Sequence, residues 1–120
     1  MSINRRDLGL LYDIYTSCVN IVDFTKGMKF YNFSNDRKTK SAVERELEII
    51  GQASKLISKE TQDFLCNIPW SNIIGLRNIL AHDYGNVLQE KVWLISKTSI
   101  KELLKELKKI KELRKYINNV

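Results

Sequence analysis

Residues 77 to 84 read RNILAHDY and contain His82, the only histidine of this 120-residue chain. Histidine is the one side chain whose unperturbed pKa lies near neutral pH, so it can take up and release a proton under physiological conditions. Arg77, five residues earlier, is permanently charged and can bind two oxygens of one phosphate through parallel hydrogen bonds. Together these two residue types suit acid–base chemistry on a phosphate ester.

Convergence of the two side chains on one phosphodiester would allow cleavage without a metal ion. Arg77 would stabilise the negative charge that grows in the transition state. Neutral His82 would take the proton from a ribose 2′-OH or give one to the leaving oxygen. DNA lacks that hydroxyl, so RNA would be the substrate. Asn78 could donate a further hydrogen bond, and Tyr84 could stack on a base or bind phosphate.

A straight helix does not bring this pair together. At about 100° per residue, His82 lies about 140° from Arg77, whereas Tyr84 is nearly in line with Arg77, two turns along. Two routes to convergence remain: the helix loosens at residues 81–84, before Gly85, or two chains pair and share a cleft. A structural role also explains the pair, because helix C-termini favour histidine and other basic side chains. The spacing by itself favours this structural explanation.

The elements that must position these residues are predicted to be helices, since apolar residues recur at three- and four-residue steps and no stretch alternates as a strand would. We expect long helices at residues 5–26, 36–58, 69 to 82 or 84, and 87–117. Gly27 and Gly85 should end the first and third, and Ser34 or Asn35 should cap the second. Residues 28–35 are expected to form an aromatic loop and residues 61–65 a short turn. The prediction is one all-α domain over residues 1–120, an antiparallel four-helix bundle with one extra short helix.

Composition narrows the functional classes. The chain is 28% charged and 43% hydrophobic, which is typical of a folded protein, and it has no apolar run long enough for a membrane span and no signal-peptide pattern. We therefore expect a cytoplasmic protein with no membrane contact. Cys18 and Cys66 are too few and too isolated for a disulfide scaffold or a zinc site, and both are expected to be buried thiols. No phosphate loop, dinucleotide fingerprint or metalloprotease motif occurs, and no metal or other cofactor is expected.

Positive charge is concentrated near the C-terminus. Eight basic residues and three glutamates lie between Lys97 and Lys115, in a chain of net charge +6. We predict that this face is mostly exposed and assists RNA binding only through long-range attraction. A lysine-rich helix that merely keeps a small protein in solution would have the same composition.

The segments AVERELEIIGQASK (42–55) and IPWSNIIGLRNILAHDY (68–84) resemble the HepT-like branch of the HEPN superfamily. Arg77, Asn78 and His82 match the family pattern of arginine, a polar residue and histidine, and Tyr84 completes its RxxxxHxY variant. The likeness extends over nearly the whole chain. Gln52 stands where relatives often carry glutamate, so no acid–base role is assigned to it.

This resemblance implies an all-α homodimer in which the two Arg/His motifs line a common cleft. It also implies a metal-independent endoribonuclease that is the toxin of a prokaryotic toxin–antitoxin pair, with Arg77 and His82 catalytic. The antitoxin would be a minimal nucleotidyltransferase that attaches AMP to Tyr84. Some relatives suggest another role, a non-catalytic helical dimer that serves as a binding partner of a nucleotidyltransferase. Both roles remain open at the level of the sequence.

Overall fold

Helices make up most of the part of the chain that the computed structural model describes, residues 2–120. Nine are present in that range and no strand is, which confirms the expected all-α fold. In chain order they are α1 (Arg5–Phe24), α2 (Phe30–Ser34), α3 (Arg37–Leu56), α4 (Lys59–Phe64), α5 (Trp70–Ile74), α6 (Leu76–His82), α7 (Gly85–Lys97), α8 (Ser99–Lys108) and α9 (Lys111–Asn118).

The core lies where α1 meets α3 and the C-terminal helices. α1 packs mainly on α3 and also contacts α8 and α9, while α3 supports α5 and α6. Apolar residues that recur at helical spacing on α3, Val43, Leu47 and Ile50, are buried, and α1 is the helix that α3 contacts most. The fully or almost fully buried residues of α1, α3 and α8 include Leu11, Ile14, Ile21, Val43, Leu47, Ile50, Ile100 and Leu107. None of the helices within residues 2–120 is both long and apolar enough to cross a bilayer.

More helix breaks occur than the four-helix prediction allowed. The third predicted helix is divided into α5 and α6 at Gly75, where the Asn78 N–H donates to the Gly75 carbonyl in a tight three-residue step. The fourth is divided into α7, α8 and α9, because Thr98 (φ −123°, ψ −70°) and Ile110 (φ −77°, ψ 107°) leave helical geometry. The expected loop at residues 28–35 contains α2, and the expected turn at residues 61–65 lies largely within α4.

The predicted caps were partly wrong. Asp36 caps α3 by accepting a hydrogen bond from the Thr39 N–H (3.0 Å), because α2 continues through Ser34. Gly27 does adopt the left-handed conformation expected after α1, with φ 74°. Gly85 also has a positive φ of 63°, but it begins α7 instead of ending α6.

The two cysteines have different environments. Cys18 lies in the core, where burial raises the pKa of its thiol to about 12. Cys66 is exposed, so the expectation that both thiols are buried was wrong for Cys66. It lies in the connection between α4 and α5, where the chain crosses the surface.

A buried carboxylate joins the start of α1 to the start of α4. Asp7 is inaccessible to solvent and accepts hydrogen bonds from the hydroxyls of Ser58 and Thr61, each at 2.6 Å. Its own N–H is capped by the side chain of Asn4 (2.8 Å). Burial raises the pKa of Asp7, but these hydroxyls, the Ser58 N–H and the charge of Arg6 lower it more, and the net pKa lies below 3.8.

Candidate active site

Three of the four residues singled out by the sequence lie on α6. Arg77 and Asn78 are in its first turn and His82 is its last residue. α6 rests on α3 beside Gly51, where a Cβ would lie 3.5 Å from Arg77 Cγ and 3.9 Å from Leu76 Cβ. The missing side chain at position 51 thus lets the stem of Arg77 approach the backbone of α3.

The motif forms an open surface. Arg77, Asn78, His82 and Tyr84 are all exposed, and Tyr84 is 83% exposed. Of the seven residues of α6, only Leu76 is buried. The side chains of Arg77 and His82 can therefore both reach a ligand as large as a nucleic acid.

The sequence predicted that Tyr84 lies nearly in line with Arg77 on one helix. In the structure Tyr84 lies outside α6. α6 ends at His82, and Asp83 (ψ 151°) and Tyr84 (φ −156°, ψ 174°) are extended. Tyr84 instead precedes the first residue of α7. The helix thus loosens before Gly85, but only beyond His82.

Arg77 and His82 both remain within α6. Regular helix geometry then separates their directions by about 140°. The backbone of α6 therefore does not by itself bring the two side chains together.

An ion pair braces the connection between α6 and α7. Lys91 Nζ lies 2.7 Å from the Asp83 carboxylate, whose side chain is 25% exposed. The contact joins the residue after His82 to the second turn of α7. Sequence reasoning missed this pair, because eight residues and a change of helix separate its members and no local spacing rule relates them.

An exposed apolar face on α7 borders the motif. Val87 and Leu94 are 53% and 62% exposed, and Lys91 lies between them at helical spacing. We call Val87, Lys91 and Leu94 the α7 face. Large apolar side chains exposed together in this way are typical of contact surfaces.

A cleft lies apart from the motif residues. Its volume is about 760 Å³, and it lies between α5, α6 and α8, with Ile73, Leu76 and Ile79 on one side and Leu103 on the other. Arg77 and His82 do not line it. Across residues 2–120, no three histidine, cysteine or acidic side chains are grouped so as to hold a metal ion.

A comparison with known protein families finds a match that includes the motif residues. A family model described as "Ribonuclease HepT-like" matches residues 14–110, which include Arg77, His82 and Tyr84. The chain belongs to the HepT-like ribonuclease family. The family resemblance drawn from the sequence is thereby confirmed.

Relatives of this HepT-like protein have similar lengths. A Methanocaldococcus jannaschii protein named a "Putative RNase" is 37% identical over 105 residues, which cover 87% of this chain and 96% of the relative. A second such protein of the same organism is 39% identical over 107 residues, 88% of each chain. The "Probable ribonuclease HepT" of Thermococcus cleftensis is 35% identical over 110 residues, which cover 92% of this chain and all of the relative. No solved structure gives a significant match.

Proposed function

We propose that this HepT-like protein is a metal-independent endoribonuclease and the toxin of a prokaryotic toxin–antitoxin pair. The observation that carries the proposal is the exposed Arg77/His82 pair on α6, within the segment that matches the ribonuclease family. The names of the relatives support the substrate class, since all three quoted above are described as ribonucleases.

In the proposed cleavage reaction His82 transfers protons and Arg77 stabilises negative charge. Neutral His82 accepts the proton of a ribose 2′-OH, and the 2′-oxygen attacks the adjacent phosphorus. The bond from phosphorus to the 5′-oxygen breaks, and that oxygen takes up a proton. Arg77 holds the non-bridging oxygens, whose negative charge increases in the transition state. The products are a 2′,3′-cyclic phosphate and a free 5′-OH.

A two-fold homodimer completes the site in this proposal. A symmetric interface places identical patches opposite each other, so Arg77 of one protomer can approach the His82 side of its partner. The α7 face supports this arrangement, because Val87 follows Tyr84 by three residues, Leu94 lies two helical turns further along α7, and both are exposed. Pairing two chains there would resolve the angle of about 140° that separates the two side chains within one helix.

Tyr84 is the proposed control point. Its 83% exposure and extended backbone leave the phenolic oxygen accessible to another protein. A minimal nucleotidyltransferase antitoxin would position that oxygen to attack the α-phosphate of ATP, attaching AMP and releasing pyrophosphate. The added phosphate would compete with RNA for Arg77, and the nucleotide would block access of RNA to the motif.

Peptide mass mapping tests this step after incubation of the protein with such a nucleotidyltransferase, ATP and magnesium. It should show AMP on Tyr84 together with loss of cleavage. Inhibition without an adduct would contradict this step.

An RNA cleavage assay in EDTA tests the main proposal. The purified wild-type protein should cleave, whereas His82→Ala and Arg77→Ala should each lose about 100-fold or more of the activity, as is usual when acid–base or charge-stabilising groups are removed. Lys59→Ala, an exposed substitution on α4, serves as the control that retains activity. Activity that persists in the double variant, or products with 5′-phosphate ends, would refute the mechanism.

A second candidate is a non-catalytic helical dimer that binds a nucleotidyltransferase. The divergence of Arg77 and His82 on α6 favours it, since one chain alone does not assemble the pair. It shares the α7 face with the ribonuclease proposal. Stable binding to the nucleotidyltransferase, with no RNA cleavage by the dimer, would establish it.

A further inference from the structure

A second exposed surface lies beside α7, on α2. Tyr31 is 76% exposed and Phe30 is 36% exposed, although aromatic side chains of this size are more often found in cores or contact sites. Only Phe33 of the five residues of α2 is buried. We call Lys29, Phe30 and Tyr31 the α2 platform.

The α2 platform is held at a fixed place along α7. The rings of Phe30 and Phe33 pack on Trp93, with centroids 6.2 and 5.2 Å away. Lys40 Nζ donates to the Ser34 carbonyl (2.9 Å) and to the side chain of Gln89 (2.8 Å). These contacts order the backbone beneath Tyr31 while its ring remains in solvent.

Positive charge flanks the platform. Lys26 and Lys29 are exposed, and residues 24–35 contain no acidic side chain. The acidic residues just outside are Asp23, which is exposed, and Asp36, which caps α3.

Further basic side chains lie at the far end of α7. Lys97 Nζ donates to the Thr25 carbonyl at 2.9 Å and lies 4.9 Å from the Trp93 ring centre. Burial lowers the pKa of Lys97, and the charge of Lys101 lowers it further, which places exposed Lys101 close by. Glu90 is the one acidic residue of α7. The surroundings of the platform are therefore mainly cationic.

We infer that the α2 platform is a stacking site for unpaired bases of the RNA strand that this protein cleaves. Proteins bind single-stranded nucleic acids by stacking bases on exposed aromatic rings while nearby lysines attract the phosphates. The Tyr31 ring supplies the stacking surface, and Lys26 and Lys29 supply the charge. The inference rests on the proposed function, because the strand at the platform is the one held at Arg77 and His82.

The residue of α7 on which α2 packs lies a short way along that helix from Tyr84. Trp93, against which α2 packs, lies nine residues after Tyr84, or about 13 Å along α7. One strand advances about 3.4 Å per nucleotide in a duplex, so about four nucleotides cover that distance, and fewer do when the strand is extended. The axial distance between Tyr84 and the anchor of the platform thus corresponds to a few nucleotides of strand.

Binding of a labelled single-stranded 12-nucleotide RNA to the full-length protein tests this inference. Methylation of every 2′-oxygen prevents cleavage without altering any motif residue. By fluorescence anisotropy, Tyr31→Ala should weaken binding by about 5- to 100-fold, the usual loss for one stacked base. Tyr31→Phe should bind like the wild type, because it keeps the ring. A 2-aminopurine base scanned along the strand should be quenched at one position by the wild type and by Tyr31→Phe only.

Phe64→Ala is the matched control, since Phe64 is a 47% exposed aromatic residue on α4. It should bind RNA like the wild type. Equal binding by wild type and Tyr31→Ala, no binding by the wild type, or equal affinity for duplex RNA would each overturn the inference. Wild-type binding that needs Tyr31 but leads to no cleavage of unmethylated RNA would instead refute the proposed function and leave the platform standing.

Discussion

Arg77 and His82 differ in what holds them. The stem of Arg77 lies beside the backbone of α3 at Gly51, so its position depends on the packing of α6. His82 is the last residue of α6 and depends on the connection that the Asp83–Lys91 ion pair braces. Packing of α6 on α3 thus positions the stem of Arg77, whereas the nearest ion pair to His82 lies one residue beyond it.

At the residue scale we predict that lysine cannot replace Arg77 in RNA cleavage. Lysine keeps the charge but loses the planar fork that binds two phosphate oxygens. Activity, measured as kcat/KM on an RNA oligonucleotide, should fall by about 10-fold or more, with the thermal unfolding midpoint unchanged because position 77 is exposed. Near wild-type activity of Arg77→Lys would show that Arg77 acts only as a point charge.

The candidate residues of the motif could be identified from the sequence, and their arrangement could be predicted only in part. Residue type and spacing identified Arg77 and His82 as candidates. The end of α6 at His82 was one of the two helix ends predicted, but the start of α7 at Gly85 was not predicted, because a glycine after a helical segment was taken to end a helix. The Asp83–Lys91 pair joins two helices, and only tertiary structure reveals it.

At the element scale, the packing of α6 on α3 limits the size of the side chain at position 51. A Cβ there would lie 3.4 Å from the Ile73 carbonyl oxygen, an ordinary contact distance, whereas any larger side chain would meet α5 and α6. Glycine within a helix costs about 1 kcal/mol relative to alanine. The site for α6 on α3 therefore accommodates alanine but nothing bulkier.

We predict that Gly51→Ala folds with equal or greater stability and that Gly51→Leu is destabilised by about 1–3 kcal/mol, the usual cost of overpacking. Gly51→Leu should also lose RNA cleavage, because it displaces Arg77. Urea unfolding and cleavage of the same preparations measure both effects. A fully active Gly51→Leu would show that the close approach of α6 is not needed.

The basic face on α8 is exposed as predicted, including Lys101, Lys105 and Lys108. We expect reversal of these three lysines to glutamate to weaken RNA binding mainly at low salt and to leave the cut sites unchanged, since such charges attract phosphates without reading sequence. Reversal of Lys38, Lys55 and Lys59 changes the net charge equally and should weaken binding less. Cut sites that move in the α8 variant would make this helix part of the recognition surface.

Helix identity was more predictable than helix continuity. Apolar periodicity located the buried stripe of α3, where Val43, Leu47 and Ile50 are inaccessible. Periodicity does not report a break such as that at Thr98, because a helix that bends around a core keeps its apolar side inward on both sides of the bend. The short α2 was missed because its aromatic residues face solvent as well as core.

At the scale of the whole molecule, the exposed apolar residues of the α7 face lead us to predict that two chains form a homodimer. We expect a homodimer at micromolar concentration by analytical ultracentrifugation, and we expect Leu94→Glu to shift it to monomer and abolish cleavage. Leu94 is 62% exposed in the single chain, so the substitution should not unfold it. Leu56→Glu, at a 50% exposed leucine of α3, is the control that should remain dimeric. A wild-type protein that is monomeric throughout would contradict the shared cleft.

Stability should depend on pH through Asp7. Its pKa is lower in the folded protein than the ordinary 3.8, so its stabilising contribution is present above about pH 4 and is lost as pH falls through the lowered pKa. Asp7→Asn should reduce the free energy of unfolding by about 1–3 kcal/mol at pH 7, because the Ser58 and Thr61 hydroxyls lose a charged acceptor. Urea unfolding from pH 7 to pH 2.5 should show this difference shrink; a constant difference would assign the effect to packing.

Leu76 is the one buried residue of α6, so few apolar contacts hold this helix on the core and its amide hydrogens should exchange readily. Protection from exchange follows the free energy of local opening, which is low where few apolar contacts are buried. Amides of α6 should therefore exchange well before those of α1 and α3. Any ligand or partner chain that covers the motif must also suppress this opening, so slowed exchange at residues 79–82 reports occupancy of the site without any catalytic readout.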